Sequence, residues 1–427
     1  MAADTLTNDI ILEILARVPD APALLRCAAT CRWWRALVAD PSFLRRRWPD
    51  PTYSLLGSFV PKELKLNGGD DASFLPGPTP RSALAAGRRL LSSFVTDAAG
   101  LPADYVCPLT SHGGLVLLTV LNYSPGQIGG VPLAVCSLLA GTCDVLPPLE
   151  RYMYWAGHAV LTSADYKGGA VLTSAGCRPS FKVLMMVATD LDKETDYDLH
   201  TLVAGQPSWN APTKCIRRAA LGILMHSDAV VCQGAAHWLF CASSSFHVLH
   251  VDAETCRVSS TKLTSPMSPR PLVDRADLIA KRGRTRLATT TDGKLLSLCL
   301  YDAGLQLMEI WTQPAAAGHG QDCHWTRTGV IDLKLKLKAV LEQPQRVPYV
   351  WLGGRCGNGK LLIVLAHRHG YIVNLQTGTM QEVDNISSSG FISKNVVCME
   401  IDWTTFFMAR LACTTNHNNE ELLVNSL

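Results

Sequence analysis

The sequence predicts a multidomain α+β protein, in which a small N-terminal module of three helices is followed by an all-β, propeller-like domain. Apolar residues recur at helical spacing over about the first forty residues. After residue 105, short β-rich runs alternate with turn residues to near the end of the chain. No long helical pattern separates these runs, which argues against a parallel α/β sheet.

The first predicted helix carries apolar residues at three- and four-residue spacing, which is the period of one helix face: Leu6, Ile10, Ile11, Ile14, Leu15 and Val18. Thr7 or Asn8 can cap its start, and Asp9 lies in the first turn, where the helix dipole favours a negative charge. Pro19 cannot continue the helix and ends it.

Two further helices follow in the next twenty or so residues. Asp20 is the expected cap of the second, and Pro22 lies in its first turn. The third covers residues 31–38 and ends near Asp40 and Pro41. Three short helices bury too little surface for a secure core, so the module is expected to need a partner.

This arrangement of residues resembles an F-box. The matching positions, in chain order, are Leu6, Asp9, Ile10, Ile11, Glu13, Ile14, Leu15, Arg17, Val18, Pro19, Leu24, Leu25, Arg26, Cys31, Arg32, Trp34, Arg35 and Leu37. The resemblance implies a Skp-type adaptor as partner and, through it, the cullin of a ubiquitin ligase. Thr7 stands where the family usually has proline, which bears on adaptor affinity rather than on fold. The alternative is an ordinary helical cap on a larger domain.

Six apolar residues of the module are predicted to contact the adaptor, because a bundle this small cannot bury them all: Leu6, Ile10, Ile11, Leu15, Leu25 and Trp34. Some of these residues must instead pack the core of the bundle.

The composition describes a globular chain without an obvious nucleic-acid or membrane partner. Hydrophobic residues make up 48% and charged residues 18% of 427 positions, and the net charge is +3. No apolar run approaches the roughly eighteen residues of a membrane span, and the N-terminus does not resemble a signal peptide. We therefore expect a cytoplasmic or nuclear protein. Fifteen cysteines, an odd number without a CxxC pair, predict reduced and buried thiols.

The predicted domains are the helical module at 1–48, a first strand with a turn-rich linker or insertion at 49–105, and the β domain at 106–427, or beginning near 51. Three hairpin-like units recur at 137–146, 251–258 and 374–380, each with threonine in the turn. Repetition of one hairpin over more than about three hundred residues favours radial blades, and about six to eight blades fit this length.

The β region also resembles the F-box-associated, kelch-like β-propellers of plants. The similar stretches are 135–149, 230–239 and 292–295 with 309–311. The resemblance implies that the propeller recruits a protein substrate through its loops.

Several patterns resemble parts of known sites, but none predicts catalysis, a cofactor or a metal. Residues 354–360 have the spacing of a phosphate-binding loop, but Leu361 replaces the required Ser or Thr, and a strand-like run follows. Two histidine pairs have metal-ligand spacing but no further ligands: His367 with His369, and His247 with His250. An acidic run lacks the glycine and the final glutamate of an EF-hand: Asp190, Asp192, Glu194, Asp196 and Asp198.

Two basic runs favour solvated surfaces. Residues 45–47 are interpreted as a helix end, with an acidic partner or a nuclear signal as alternatives. Residues 281–286 are interpreted as a solubilising loop, with a nuclear signal or an acidic or phosphorylated degron as alternatives.

The sequence thus predicts a non-catalytic substrate-recognition subunit of a Skp–cullin–F-box ubiquitin ligase, with an unknown protein substrate. Two alternatives stay open. One is an F-box scaffold protein that acts outside a ligase. The other is a propeller enzyme with an unrelated helical cap, which would show a histidine- or carboxylate-rich cluster in its central channel.

Overall fold

The structure is a computed structural model, and the description covers the following residues. They are 7–18, 21–48, 54–60, 73–76, 95–97, 99–100, 105–121, 132–137, 142–149, 157–166, 180–188, 196–216, 221–242, 245–263, 284–290, 292–301, 307–313, 325–333, 350–355, 360–365, 370–383, 396–401, 403, 407 and 411.

The N-terminal module contains four short helices, and the fourth lies where the sequence predicts only a short basic helix end after the third. They are α1 (Asn8–Ala16), α2 (Ala21–Thr30), α3 (Arg32–Val38) and α4 (Pro41–Arg47). The chain starts α4 afresh at Pro41 because the Asp40 carboxylate accepts a hydrogen bond from the Ser42 N–H at 2.7 Å, which caps the new helix. Thr7 is the N-cap residue of α1, but its side chain makes no capping hydrogen bond.

The rest of the described chain is mostly β structure, with short helical segments such as the 3-10 helix at Ser163–Asp165. Its strands have this order: β1 (Ser54–Val60), β2 (Ser73–Pro76), β3 (Tyr105–His112), β4 (Leu115–Leu121), β5 (Leu133–Ser137), β6 (Thr142–Val145), β7 (Gly157–Thr162), β8 (Phe181–Ala188), β9 (Tyr197–Val203), β10 (Thr213–Ile216), β11 (Ile223–Leu224), β12 (Val230–Cys232), β13 (Ala235–Cys241), β14 (Phe246–Asp252), β15 (Val258–Leu263), β16 (Thr285–Thr289), β17 (Leu295–Tyr301), β18 (Leu307–Thr312), β19 (Thr326–Asp332), β20 (Val350–Arg355), β21 (Lys360–Leu365), β22 (Gly370–Asn374), β23 (Met380–Val383) and β24 (Val397–Ile401).

Within the described residues, these strands form six antiparallel sheets, which we number by the position of their first strand in the chain. Four of them are four-stranded meanders in chain order: β3 to β6, β7 to β10, β16 to β19 and β20 to β23. In the fourth sheet, β11 and β12 both pair with β13, which β14 and β15 follow. The first sheet has the order β2–β1–β24, so it joins the two ends of the β region.

The six sheets close into a ring. The strands β24, β3, β7, β12, β16 and β20 contact one another in that order, and β20 contacts β24 again. Closure depends on β24, which pairs with β1 so that Phe59 lies opposite Val397. The propeller-like architecture is therefore confirmed, and the number of described sheets falls at the low end of the predicted range.

Each sheet buries side chains on both of its faces. In β4, Val116 packs in a cluster shared with the first sheet, whereas its neighbour Leu117 packs against the third sheet. Similar clusters join the third sheet to the fourth, the fourth to the fifth and the fifth to the sixth. Because both faces are covered, strands such as β5 and β7 form continuous apolar runs rather than alternating ones.

The helical module packs directly on the ring. Buried residues of the helices, such as Leu15 and Phe43, belong to the same apolar cluster as residues of the first and second sheets. Trp48, which follows α4, stacks on Trp403 with ring centroids 5.5 Å apart and lies 5.2 Å from the ring of Phe407. No helix among the described residues has the length and hydropathy that a membrane crossing requires.

Candidate functional site

An exposed apolar stripe crosses the outer face of the helical module. Ile10 and Ile14, one helical turn apart on α1, are 48% and 43% exposed, and Trp33 at the start of α3 is 44% exposed. The indole N–H of Trp33 donates to the Asn8 side-chain oxygen at 2.9 Å, which holds the ring beside α1. We call these three apolar residues the α1–α3 stripe. Such clustering on a small module is typical of a surface that a partner covers.

The residues predicted to contact an adaptor fall into three groups. Ile10 is exposed and Trp34 is partly buried. The other described ones, Ile11, Leu15 and Leu25, are almost fully buried and belong to the apolar cluster that the module shares with the ring. Leu6 lies outside the described residues. Their adaptor role stays a prediction.

The prediction left out Ile14 and Trp33, although both are exposed. For Ile14 a signal existed, since it lies four residues after Ile10 on one helix face, whereas Ile11 and Leu15 lie on the next. For adjacent tryptophans no such signal exists, because either ring can face the core.

The arginines of α4 behave as a basic helix end, as the sequence favours. All three lie in the last turn of α4, where they oppose the negative end of the helix dipole. Arg46 pairs with Glu13 at 3.4 Å on the surface, and Arg47 donates to the backbone oxygen of Val18 at 2.6 Å. These contacts fasten α4 to α1.

A groove of about 480 Å³ lies between the fifth and sixth sheets. Apolar side chains such as Leu296, Ile310 and Leu375 line it together with polar groups: Thr290, Asp292, Thr312, Thr328, Asp332 and Thr377. Val330, which is 48% exposed, lies among them. This combination of apolar surface, hydroxyl groups and carboxylates suits a peptide segment, which presents both side chains and hydrogen-bonding backbone.

Polar side chains near the inner strands, which are the strands that contact one another around the ring, link neighbouring sheets. Arg286 on β16 is buried and donates to Asp228 at 2.6 Å, which joins the fifth sheet to the fourth. His226 bonds to the backbone oxygen of Thr285 at 2.7 Å, and His158 bonds to that of Leu109 at 2.8 Å. A propeller enzyme is expected to carry such groups, but here the observed contacts run between strands and fasten them.

Arg286 corrects the predicted basic loop at 281–286. It lies within a strand, and its side chain is only 4% exposed. The nearby Asp228 carboxylate compensates the buried charge. Arg284, by contrast, is exposed. Residues 281–283 lie outside the described part of the chain.

The remaining candidate patterns show ordinary β structure where they are described. Residues 354 and 355 end β20 and Lys360 begins β21, which pairs antiparallel with it, so a strand rather than a helix follows the run and the hairpin interpretation is confirmed. His250 bonds to His237 at 2.7 Å and His247 to Ser245 at 2.8 Å. The described residues contain no group of three or more His, Cys, Asp or Glu that could hold a metal ion.

Some of these patterns fall outside the description: His367, His369, Asp190, Asp192 and Glu194. Half of the described cysteines are buried, so the predicted burial holds for these five and not for the others. Burial raises the pKa of Cys299 to about 12, so this thiol stays protonated.

Comparison with known families gives two matches. A model described as F-box-like matches residues 8–48, and a model described as Domain of unknown function (DUF7595) matches residues 92–410. No curated protein matches the chain significantly.

Three solved structures are similar to the chain at low identity. The Dos1 propeller is 10% identical, with a TM-score of 0.32, and the match covers 67% of this chain and 62% of that one. The β-propeller domain of the Trilobed protease from Pyrococcus furiosus is 12% identical, with a TM-score of 0.31, covering 65% and 82%. The E242A mutant of an α-L-arabinofuranosidase from Fusarium graminearum is 12% identical, with a TM-score of 0.33, covering 67% and 82%. The resemblance to kelch-like propellers of plants stays a prediction.

Proposed function

Since the chain belongs to the family described as Domain of unknown function (DUF7595) and begins with an F-box-like domain, we propose that it is the substrate-recognition subunit of a Skp–cullin–F-box ubiquitin ligase. F-box domains generally bind Skp-type adaptors. The observation that carries the proposal is the α1–α3 stripe, which exposes three large apolar side chains within the matched segment.

In the proposed mechanism the chain performs no covalent chemistry. The helical module binds the adaptor and through it the cullin, while the ring holds a protein substrate. Tethering raises the effective concentration of substrate lysines near the ubiquitin-charged enzyme. Because the module shares a core with the ring, the substrate is held at a defined distance from the ligase. We place the complex in the cytoplasm or the nucleus.

The docking step is tested by Ile14→Asp, which puts a charge into the centre of the stripe. We expect the affinity for recombinant Skp-type adaptor to fall by about tenfold to a hundredfold, since a buried apolar contact is replaced by an unpaired carboxylate. Isothermal titration measures the change. Val145→Asp is the matched control, because Val145 is 44% exposed on the ring and should leave binding intact. Equal affinity of wild type and Ile14→Asp contradicts the assignment.

Membership in a ligase is a separate question from adaptor binding. We expect a cullin to co-purify with the wild-type chain and adaptor in cells and to disappear with Ile14→Asp. If the adaptor is retained without any cullin, the chain acts as a scaffold outside the ligase.

The groove between the fifth and sixth sheets is our proposed substrate surface. Val330→Asp adds charge there without touching the helical module, so it should abolish substrate capture and keep adaptor and cullin. Ile14→Asp should do the reverse. Quantitative affinity capture with degradation blocked compares the two variants. Loss of the same proteins in both variants, or no loss with Val330→Asp, assigns substrate binding to another surface.

A further inference from the structure

A buried lysine meets a cysteine where the third and fourth sheets adjoin. Lys182 on β8 is 8% exposed, and its ammonium donates to the backbone oxygen of Ala253 at 2.8 Å and to the sulfur of Cys256 at 3.3 Å. Cys256 itself is partly exposed, in the turn between β14 and β15. A buried ammonium requires compensating partners, and here one of them is a thiol.

The backbone of Cys256 adopts a conformation that favours glycine. Its φ is +56°, and the corresponding residue in the equivalent turn of the sixth sheet is Gly378, with φ +65°. The turns are built alike, since Asp252 and Asn374 each accept hydrogen bonds from the backbone N–H groups two and three residues on. A side chain in this region of backbone conformation is strained, because its Cβ approaches the following carbonyl oxygen. Cysteine therefore occupies a position where glycine fits without strain.

Tyr166 completes the cluster. Its ring lies 5.7 Å from the Lys182 ammonium, and its hydroxyl oxygen is buried without a hydrogen-bond partner among the described residues. Burial, and then the electrostatic effect of the nearby Cys256 side chain, raise the pKa of Tyr166 to about 12. The hydroxyl thus stays protonated and is available as a hydrogen-bond donor.

We propose that Cys256 is a reactive thiol that hydroperoxides oxidise to the sulfenic acid. The thiolate is the reactive form of cysteine, and a neighbouring lysine ammonium stabilises it. The Lys182 contact supplies that charge, and the Tyr166 ring lies beside the same ammonium. Cys299 has neither feature, being fully buried with a raised pKa.

The reaction with hydrogen peroxide is balanced without a further reagent. The Cys256 thiolate attacks one peroxide oxygen, so that an S–O bond forms and the O–O bond breaks. Sulfur loses two electrons and peroxide gains them. The departing hydroxide takes a proton from solvent and becomes water, which leaves Cys256 as the sulfenic acid.

The test uses the full chain, hydrogen peroxide and dimedone, with peptide mass spectrometry to quantify labelling at each cysteine. We expect Cys256 to be labelled about tenfold faster than the exposed Cys31. Lys182→Met should lower the Cys256 rate about tenfold and leave that of Cys31 unchanged, whereas Lys182→Arg, which keeps the charge, should retain most of the rate.

Unfolding of the Lys182→Met variant would not lower the labelling rate of Cys256, because an unfolded chain exposes every thiol and would raise that rate. Cys256→Gly provides a second measurement, since relief of the left-handed strain should keep or raise the melting temperature while labelling at this position is lost. The proposal is overturned if Cys256 reacts no faster than Cys31, or if Lys182→Met leaves its rate unchanged.

Discussion

Single carboxylates fasten neighbouring sheets, and Asp165 is the clearest case outside the inner strands. It accepts from the ring nitrogen of His112 at 2.9 Å, and from the backbone N–H and hydroxyl of Thr162 at 2.7 and 2.9 Å. Burial alone would raise the pKa of Asp165, but the charge of His112 and these hydrogen bonds outweigh it and hold the pKa below its ordinary value. The second and third sheets are thereby joined by an ionised group.

Asp165→Asn should reveal this contribution through pH. Because the folded-state pKa is depressed, the stabilisation is present above the ordinary value of 3.8 and is lost as pH falls through the lower folded-state pKa. We expect the variant to be about 2 kcal/mol less stable at pH 6, with the difference closing toward pH 2. Urea unfolding at a series of pH values measures it. A difference that is independent of pH would show that charge plays no part.

Residue roles in the helical module were only partly predictable. Helical periodicity identifies α1 and groups Ile10 with Ile14, but it does not say which face the other helices cover. The structure buries Ile11 and Leu15 and exposes the other pair, because α2, α3 and the ring pack on that side. The same limit applies to the tryptophans at 33 and 34, since their order in the chain carries no information on burial.

Among the elements, the strands were predictable and their partners were not. Composition identifies runs such as β4 and β17 as strands, yet burial on both faces removes the alternation from which a partner face is deduced. The pairing of β1 with β24 joins residues 340 positions apart, as in the bond from Ser58 to Cys398. No local signal specifies such a contact.

The contribution of β24 to closure of the ring can be tested by replacing valine with aspartate at two positions. Val397 on β24 is 5% exposed, so Val397→Asp places an unpaired charge inside the closing sheet and should cost several kcal/mol, about 3 or more. Val330→Asp on the exposed strand β19 should change stability by less than about 0.5 kcal/mol. Chemical denaturation compares the two. Equal stability of both variants would show that β24 contributes little to the ring.

At the scale of the whole molecule, the module and the ring form one packed unit. Trp48 connects them by stacking on Trp403, while Trp403, Phe407 and Leu411 are helical residues at four-residue spacing that join the same cluster. A rigid joint matters for the proposed function, because a tether of fixed length sets how close a bound substrate comes to the ligase.

Substitutions at two tryptophans distinguish the packing of the module on the ring from the binding of the adaptor. Trp403→Ala removes the stack and should cost about 3 kcal/mol, since Trp403 is 8% exposed. Hydrogen exchange in α4 should then rise by about tenfold or more, while adaptor affinity is kept because the α1–α3 stripe is intact. Trp33→Ala should do the opposite, lowering adaptor affinity without changing exchange in α4. If exchange in α4 is unchanged by Trp403→Ala, the stack does not hold the module, and the tether must be fixed by the remaining contacts of the shared core.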